Sequence, residues 1–369
     1  TVDIAKNTTL WKRGPMTTEK RSSIAMVKTG SAHAAGVFAA QDGPVLPPPR
    51  GRDLLVEVRA VSVNPIDCRI RRGATVGPES GVLGFDAAGV VTSVGPTTRL
   101  FEVGDPVYYA GQVDRSGANT NQQVVDERIV GHKPKNVSFA EAAALPLTAL
   151  TAWEGLFDKL RLTSDSVGTL LVLGGGGGVG SMVIQLAHAL TDVRIIASAS
   201  RPETKRWVRE LGAHVSVNHS SENLEEEIRR AAPAGVDYVF STHSAGILPL
   251  LARVVNPFGQ IVAIDSAPED DFQVLKPKAL TWHWENVFAR AVHGALDSTN
   301  QHRVLDAVAD LVEARKIRPT MTQVFHGVNI ANLREAHRRI ELGHTAGKIV
   351  LVRDDVPESG LIPRGFKMQ

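Results

Sequence analysis

A single cysteine, Cys68, stands in 369 residues. It excludes an intramolecular disulfide and any four-cysteine zinc lobe. An excess of charge of one sign is also missing. Lys and Arg number 41 against 39 Asp and Glu, for a net charge of +2, far from the basic surplus with which nucleic-acid binders release counterions. No apolar run approaches the roughly 20 residues of a membrane-spanning helix. The first residues lack the apolar stretch of a signal peptide. A cytoplasmic protein with neither nucleic-acid nor membrane partners is expected. What is present is ordinary for a globular chain: 43% hydrophobic and 22% charged residues, with a length that suits about two domains.

The two ends read as peripheral. Residues 1–23 are polar and broken by Gly14-Pro15, and residues 354–369 carry Pro357, Gly360, Pro363 and Gly365 with little periodicity. Between 167 and 265, strand and helix patterns alternate. Thr169-Leu170-Leu171-Val172-Leu173 is a continuous apolar run of the kind buried on both faces of a parallel sheet. Met182, Leu186 and Leu190 follow at helical spacing. Further strands are expected at 193–197, 215–217, 236–240 and 261–264. Pro202 opens a helix that Gly212 closes, and Asn256-Pro257-Phe258-Gly259 ends another. This order predicts a doubly wound parallel sheet with right-handed crossovers. The first 150 residues instead show short runs, 55–61, 89–94 and 107–110, separated by Gly/Pro turns. That pattern predicts an antiparallel barrel or sandwich.

Gly174-Gly175-Gly176-Gly177-Gly178-Val179-Gly180 lies between the buried run and the amphipathic helix. Gly175, Gly177 and Gly180 fit the dinucleotide fingerprint, in which absent Cβ atoms let the backbone approach a pyrophosphate at a helix N-terminus. Position 181 is Ser, not the Lys of a triphosphate cradle. A free ribose 2′-hydroxyl is usually held by Asp or Glu about 20 residues onward. Here stand Ser198, Ser200 and Arg201, with Lys205 one turn later. Hydroxyls and cations suit a 2′-phosphate, so NADP(H) is expected rather than NAD(H). Glu203 reads as support for the helix start.

Other segments form an ordered series: 63–67 (Val-Asn-Pro-Ile-Asp), 84–89 (Gly-Phe-Asp-Ala-Ala-Gly), 103–109, 126–131, 142–153 and 347–351. With them the chain resembles the medium-chain dehydrogenase/reductase superfamily over about residues 24–353. Within it the likeness is to the quinone-oxidoreductase, zeta-crystallin-like branch that is often labelled zinc-type alcohol dehydrogenase-like. The resemblance implies an α/β fold: a GroES-like antiparallel β domain with an inserted Rossmann doubly wound parallel sheet. The corresponding division is an N-terminal arm at 1–23, the first part of the catalytic domain at 24–152, the cofactor domain at 153–290, a return to the catalytic domain at 291–353, and a tail. It also implies a homodimer or homotetramer, joined near Leu280–Trp284.

Zinc-using relatives place Cys where this chain has Asn64, and Gly-His-Glu where it has Gly84-Phe85-Asp86. Asn and Phe are not zinc ligands, so no metal is expected. Hydride transfer without a Lewis acid suits quinones and α,β-unsaturated carbonyls. By resemblance, Asn64 lies beside the nicotinamide and is placed to donate to the substrate oxygen. Asp67 fixes that loop. Thr148 and Lys348 contact the cofactor beside Gly178 and Val179. Tyr109 is either a proton donor or a core tyrosine, and Cys68 reads as an inert core thiol. The polar run Ala118–Gln123 departs from the family pattern and bears on the packing beneath the cleft. Two other readings stand beside the small-carbonyl reductase: a trans-acting enoyl reductase of a biosynthetic pathway, and a non-catalytic NADP(H)-binding protein.

Overall fold

The computed structural model describes residues 21–354 apart from 33, 35, 44 and 266–270. Positions 1–20 of the expected arm and 355–369 of the expected tail lie outside them.

The order begins three residues earlier than expected, with β1 (Arg21–Met26) paired antiparallel to β2 (Phe38–Gly43). Then come β3 (Asp53–Val63), β4 (Ala87–Val94), β5 (Pro106–Tyr109), β6 (Gln122–Asp126) and β7 (Val130–His132). The Rossmann part supplies β8 (Thr169–Leu173), β9 (Arg194–Ser198), β10 (Val215–Val217), β11 (Val236–Ser241), β12 (Val255–Ala263) and β13 (Thr281–Trp284). The chain returns with β14 (Met321–His326) and β15 (Lys348–Val352).

Strands β3 to β7 with β14 and β15 form a GroES-like sheet that is antiparallel except where β14 meets β15, in the order β14-β15-β3-β4-β5-β7, with β6 also on β3. The last strand thus lies against the first long one, with Ile349 opposite Val63. The other sheet is parallel, in the order β10-β9-β8-β11-β12-β13. Its centre, β8, is covered on both faces. Leu170, Leu171 and Val172 are fully buried, and each such side chain contributes roughly 1.5–3 kcal/mol.

Local chemistry sets the connections. Pro202 opens the helix Pro202–Glu210, and Gly212 after it takes φ +112°, where a Cβ would meet the His188 ring at 2.5 Å. The expected turn at 256–259 is instead part of β12, which begins at Val255. The Pro and Gly are absorbed by a register shift on the β11 side and by Phe258 at φ +66°.

The polar run also differs from expectation. Asn119, Thr120, Asn121, Gln122 and Gln123 are all buried, and none lines the cleft described below. They stitch β1 to the sheet. The Ile24 amide donates to the Asn119 carbonyl, and the Ser22 amide donates to Asn121 Oδ1 at 2.8 Å. Thr120 Oγ1 and Gln123 Nε2 likewise donate to the Ser22 and Ser116 carbonyls at 3.1 Å and 2.8 Å, so these polar side chains pair with backbone groups that would be costly to bury alone.

Candidate active site

A cleft of about 660 Å³ opens between the two sheets, within the size range of small-molecule sites. One wall is the glycine turn after β8 and the start of the helix Gly178–Leu190; the other is the helix Pro65–Arg71 with the start of β15. The walls are tied directly, since the Gly347 amide donates to the Gly176 carbonyl at 2.9 Å.

The glycines divide by what they make room for. A Cβ on Gly180 would meet the Gly174 carbonyl oxygen at 2.3 Å, and one on Gly178 would meet Lys348 Cδ at 2.7 Å. Those two serve the fold. A Cβ on Gly177 would meet nothing nearer than 3.5 Å. Gly177 is the N-cap, with φ −77°, and lines the cleft. Its bareness leaves space at a helix N-terminus, where free amides and the helix dipole favour phosphate. The residues present fit a dinucleotide pyrophosphate.

The cleft brings together Asn64, Thr148, Gly177, Gly178, Val179, Gly180 and Lys348. Ser200, Arg201 and Lys205 stand outside it, partly exposed, beyond the end of β9. Thr204 links that corner to the turn, because a Cβ on Gly176 would touch it at 3.3 Å. Arg201 Nε lies 3.1 Å from Glu203 Oε1. His219 also faces Arg201, and burial, then Arg201, pulls its basicity down.

Four expected roles change. Ser198 is buried and accepts from the Gly174 amide at 2.9 Å. It sits under the turn, with Gly175, rather than facing a ribose phosphate. Tyr109 is buried outside the cleft, and its hydroxyl has no hydrogen-bond partner among the described residues. Burial raises its pKa far above the ordinary phenol, so it is a core tyrosine. Asn64 Nδ2 donates to Asp86 Oδ2 at 2.9 Å and to the Phe85 carbonyl at 3.3 Å, so both its protons are engaged and neither is free for a substrate oxygen. The Lys348 ammonium donates to Asn64 Oδ1 and to the Val63 carbonyl, and lies 3.1 Å from Asp86 Oδ2. Its charge faces Asp86 instead of open cleft.

Asp67 holds the loop, accepting from the Asn64 amide at 2.8 Å and the Gly84 amide at 2.9 Å. Burial still pushes its carboxyl up to about 6. Thr148 donates to the Leu145 carbonyl at 3.0 Å. Cys68 is buried, and that burial pushes the thiol up to about 12.

Three features escaped the sequence reading. Asp86 is the hub: its second oxygen accepts from the Leu147 amide at 2.8 Å, which anchors the helix Pro146–Trp153. A buried carboxylate demands a cation or several donors, and that rule pointed toward Lys348. Arg69 lines the cleft, half-buried, with no carboxylate in salt-bridge range among the described residues. Nothing in its helical pattern marked it out. Glu285, just past β13, lines the cleft while nearly buried. Burial, reinforced by Glu154, pushes its carboxyl up to about 9. Glu154 in turn meets Arg290 Nε at 3.2 Å.

The comparisons with known proteins agree with this architecture. Residues 50–154 match the alcohol dehydrogenase GroES-like domain, and residues 211–351 match the zinc-binding dehydrogenase family. A Staphylococcus aureus zinc-type alcohol dehydrogenase-like protein is 38% identical over 313 residues, covering 83% of this chain and 92% of that one. The chloroplastic NADPH-dependent alkenal/one oxidoreductase of Arabidopsis thaliana is 31% identical, covering 83% and 74%. A solved structure from Rhizobium etli, assigned to the zinc-dependent alcohol dehydrogenases, superposes with a TM-score of 0.86 at 40% identity over 90% of this chain and 98% of that one. The chain belongs to the medium-chain dehydrogenase/reductase superfamily, a family of oxidoreductases, in its quinone-oxidoreductase-like branch.

Zinc, which the family description names, does not fit this cleft. Where ligands would stand are an amide whose oxygen accepts from Lys348, a phenyl ring, and a carboxylate committed to Lys348, Asn64 and Leu147. A dication would have to share that space with an ammonium group.

Proposed function

We propose that the protein reduces a conjugated carbonyl, either a quinone or an α,β-unsaturated aldehyde or ketone, with NADPH and without a metal. The observation that carries this reading is the buried Lys348–Asp86 pair at 3.1 Å, bonded through Asn64. It neutralises the cleft floor where a zinc dehydrogenase needs ligands. An acceptor whose incoming charge spreads over a conjugated system needs no Lewis acid.

The dinucleotide, when bound, supplies a hydride from its reduced ring. The protein's part is placement and electrostatics. The helix N-terminus at Gly177 meets the pyrophosphate, and Ser200, Arg201 and Lys205 meet a 2′-phosphate. Ile66, Leu147, Val287 and Phe288 give the cleft an apolar lining for the conjugated acceptor. Hydride arriving at the β-carbon would gather negative charge on the carbonyl oxygen, and a proton from solvent at the open mouth of the cleft would complete the reduction. Arg69, a cleft cation without a carboxylate partner among the described residues, is the group that meets that charge. The name of the Arabidopsis relative, an NADPH-dependent alkenal/one oxidoreductase, supports this acceptor class. Pairing of two chains through the edge strand β13 belongs to the same reading.

The test is a panel of quinones, enals, enones and saturated aldehydes, scored by NADPH oxidation after chelator treatment. Conjugated acceptors are expected to react and saturated ones not. Arg69→Met is expected to lower kcat by about 100-fold and to change NADPH affinity by less than about twofold. Chelator-sensitive oxidation of simple alcohols would overturn the reading.

A further inference from the structure

Away from the cleft, β7 and the helix Asn300–Glu313 bring two histidines and a carboxylate together. His132 ends β7, and His302 and Asp306 share one face of the helix at i, i+4. His132 Nδ1 lies 3.2 Å from each Asp306 oxygen, and His302 Nε2 lies 3.5 Å from Asp306 Oδ2. One ligand atom from each residue falls within 4.8 Å of the others. Ligands about 2.0–2.1 Å from a tetrahedral zinc stand about 3.4 Å apart. The two separations to Asp306 already have that value.

The surroundings orient all three groups. His302 Nδ1 faces the Val130 carbonyl at 2.7 Å. A carbonyl only accepts, so Nδ1 carries the hydrogen. In the neutral ring Nε2 is then a bare lone pair. It faces a carboxylate oxygen, another acceptor, and only a proton or a metal cation between them relieves that opposition. An outer hydrogen bond of this kind is what fixes the tautomer of metal-binding histidines. The Asp306 carboxylate is held by the His132 amide at 2.9 Å. The Phe101 ring packs on both imidazoles, with centroids at 4.5 Å and 5.5 Å.

We propose that His132, His302 and Asp306 form a surface site for a divalent transition metal of the zinc class, with the fourth position open to water. Two imidazoles and one carboxylate select zinc, cobalt or nickel over the oxygen-seeking calcium and magnesium. None of the three residues lines the cleft. The ion would fasten the returning chain at 300–313 to β7, and so act on stability rather than on hydride transfer.

The test uses the full chain stripped with chelator. Titration with zinc chloride is followed by calorimetry, and Co2+ loading by its visible absorption. Expected are one equivalent bound, the visible band of tetrahedral cobalt, and a zinc-dependent rise in Tm on the order of 5 °C at saturating metal. His302→Gln and Asp306→Asn are each expected to weaken binding at least tenfold and to abolish the Tm response. Circular dichroism without metal checks that each is folded, and His302→Gln carries the test alone if Asp306→Asn is not. Absence of binding to the wild type, or zinc affinity unchanged in a folded variant, overturns the proposal. The latter would leave the contact between His302 and Asp306 a side-chain pair without a metal.

Discussion

Lys348 Nζ lies 3.1 Å from Asp86 Oδ2 in a setting where neither side chain is more than 4% exposed. The pair joins β15 to the segment before β4, parts of the chain more than 250 residues apart. A buried pair of this kind is a weak source of net stability but a severe liability when half of it is removed. Lys348→Met is therefore expected to destabilise the protein by about 3–5 kcal/mol. The double variant Asp86→Asn/Lys348→Met should lose less than the sum of its parts. Denaturant unfolding of the four proteins checks this, and additive losses would mean that the two groups do not interact.

The glycine turn gives a contrast between room for a ligand and room for the fold. Gly177→Ala is expected to fold with a loss near 1 kcal/mol, the scale of a poorer N-cap, and to bind dinucleotide at least ~10-fold more weakly. Gly180→Ala forces a Cβ to within 2.3 Å of the Gly174 carbonyl oxygen and should lower Tm far more. Thermal unfolding and NADPH titration of both separate the roles. Equal effects of the two substitutions would contradict the division.

Burial raises the Glu285 carboxyl to about 9 in the folded protein, against an ordinary value near 4.5. Between those pH values the unfolded chain has released this proton and the folded chain keeps it. The contribution to stability is thus complete below about pH 4.5 and is lost as pH rises through 9, by up to ~1.4 kcal/mol per pH unit. Glu285→Gln cannot ionise, so its stability relative to wild type should improve steadily from pH 5 to pH 8. Chemical denaturation at both pH values checks the sign. A gap between the two proteins that does not change with pH would show that Glu285 ionises freely in the fold.

Periodicity made the Rossmann half readable because its central strands, β8 and β9, are continuous buried runs and the helix Gly178–Leu190 between them is apolar at helical spacing. Even the 256–259 turn failed only locally, since a parallel strand can carry Pro and Gly at an irregular register. The β half was readable only as short strands with Gly/Pro turns. Its pairing of β15 with β3 joins segments nearly 290 residues apart, and no local signal encodes that. In the cleft, single residues were legible by kind but not by partner. Lys348 and Asn64 were both singled out, yet their mutual bond, and the Asp86 that holds both, exist only once the sheet is closed. Tyr109 was ambiguous because core and cleft tyrosines look alike in sequence. Arg69 was invisible, since a helix of mixed charge does not mark the one cation that faces a cavity.

In the proposed function the corner after β9 receives a 2′-phosphate and so selects NADPH. Calorimetric titration of wild type and Arg201→Ala with NADPH and with NADH tests it most directly. Wild type is expected to bind NADPH at least ~10-fold more tightly than NADH, and Arg201→Ala to weaken NADPH by roughly tenfold or more while leaving NADH nearly unchanged. Tighter binding of NADH by the wild type, equal losses for both dinucleotides in the variant, or no binding of either would contradict it.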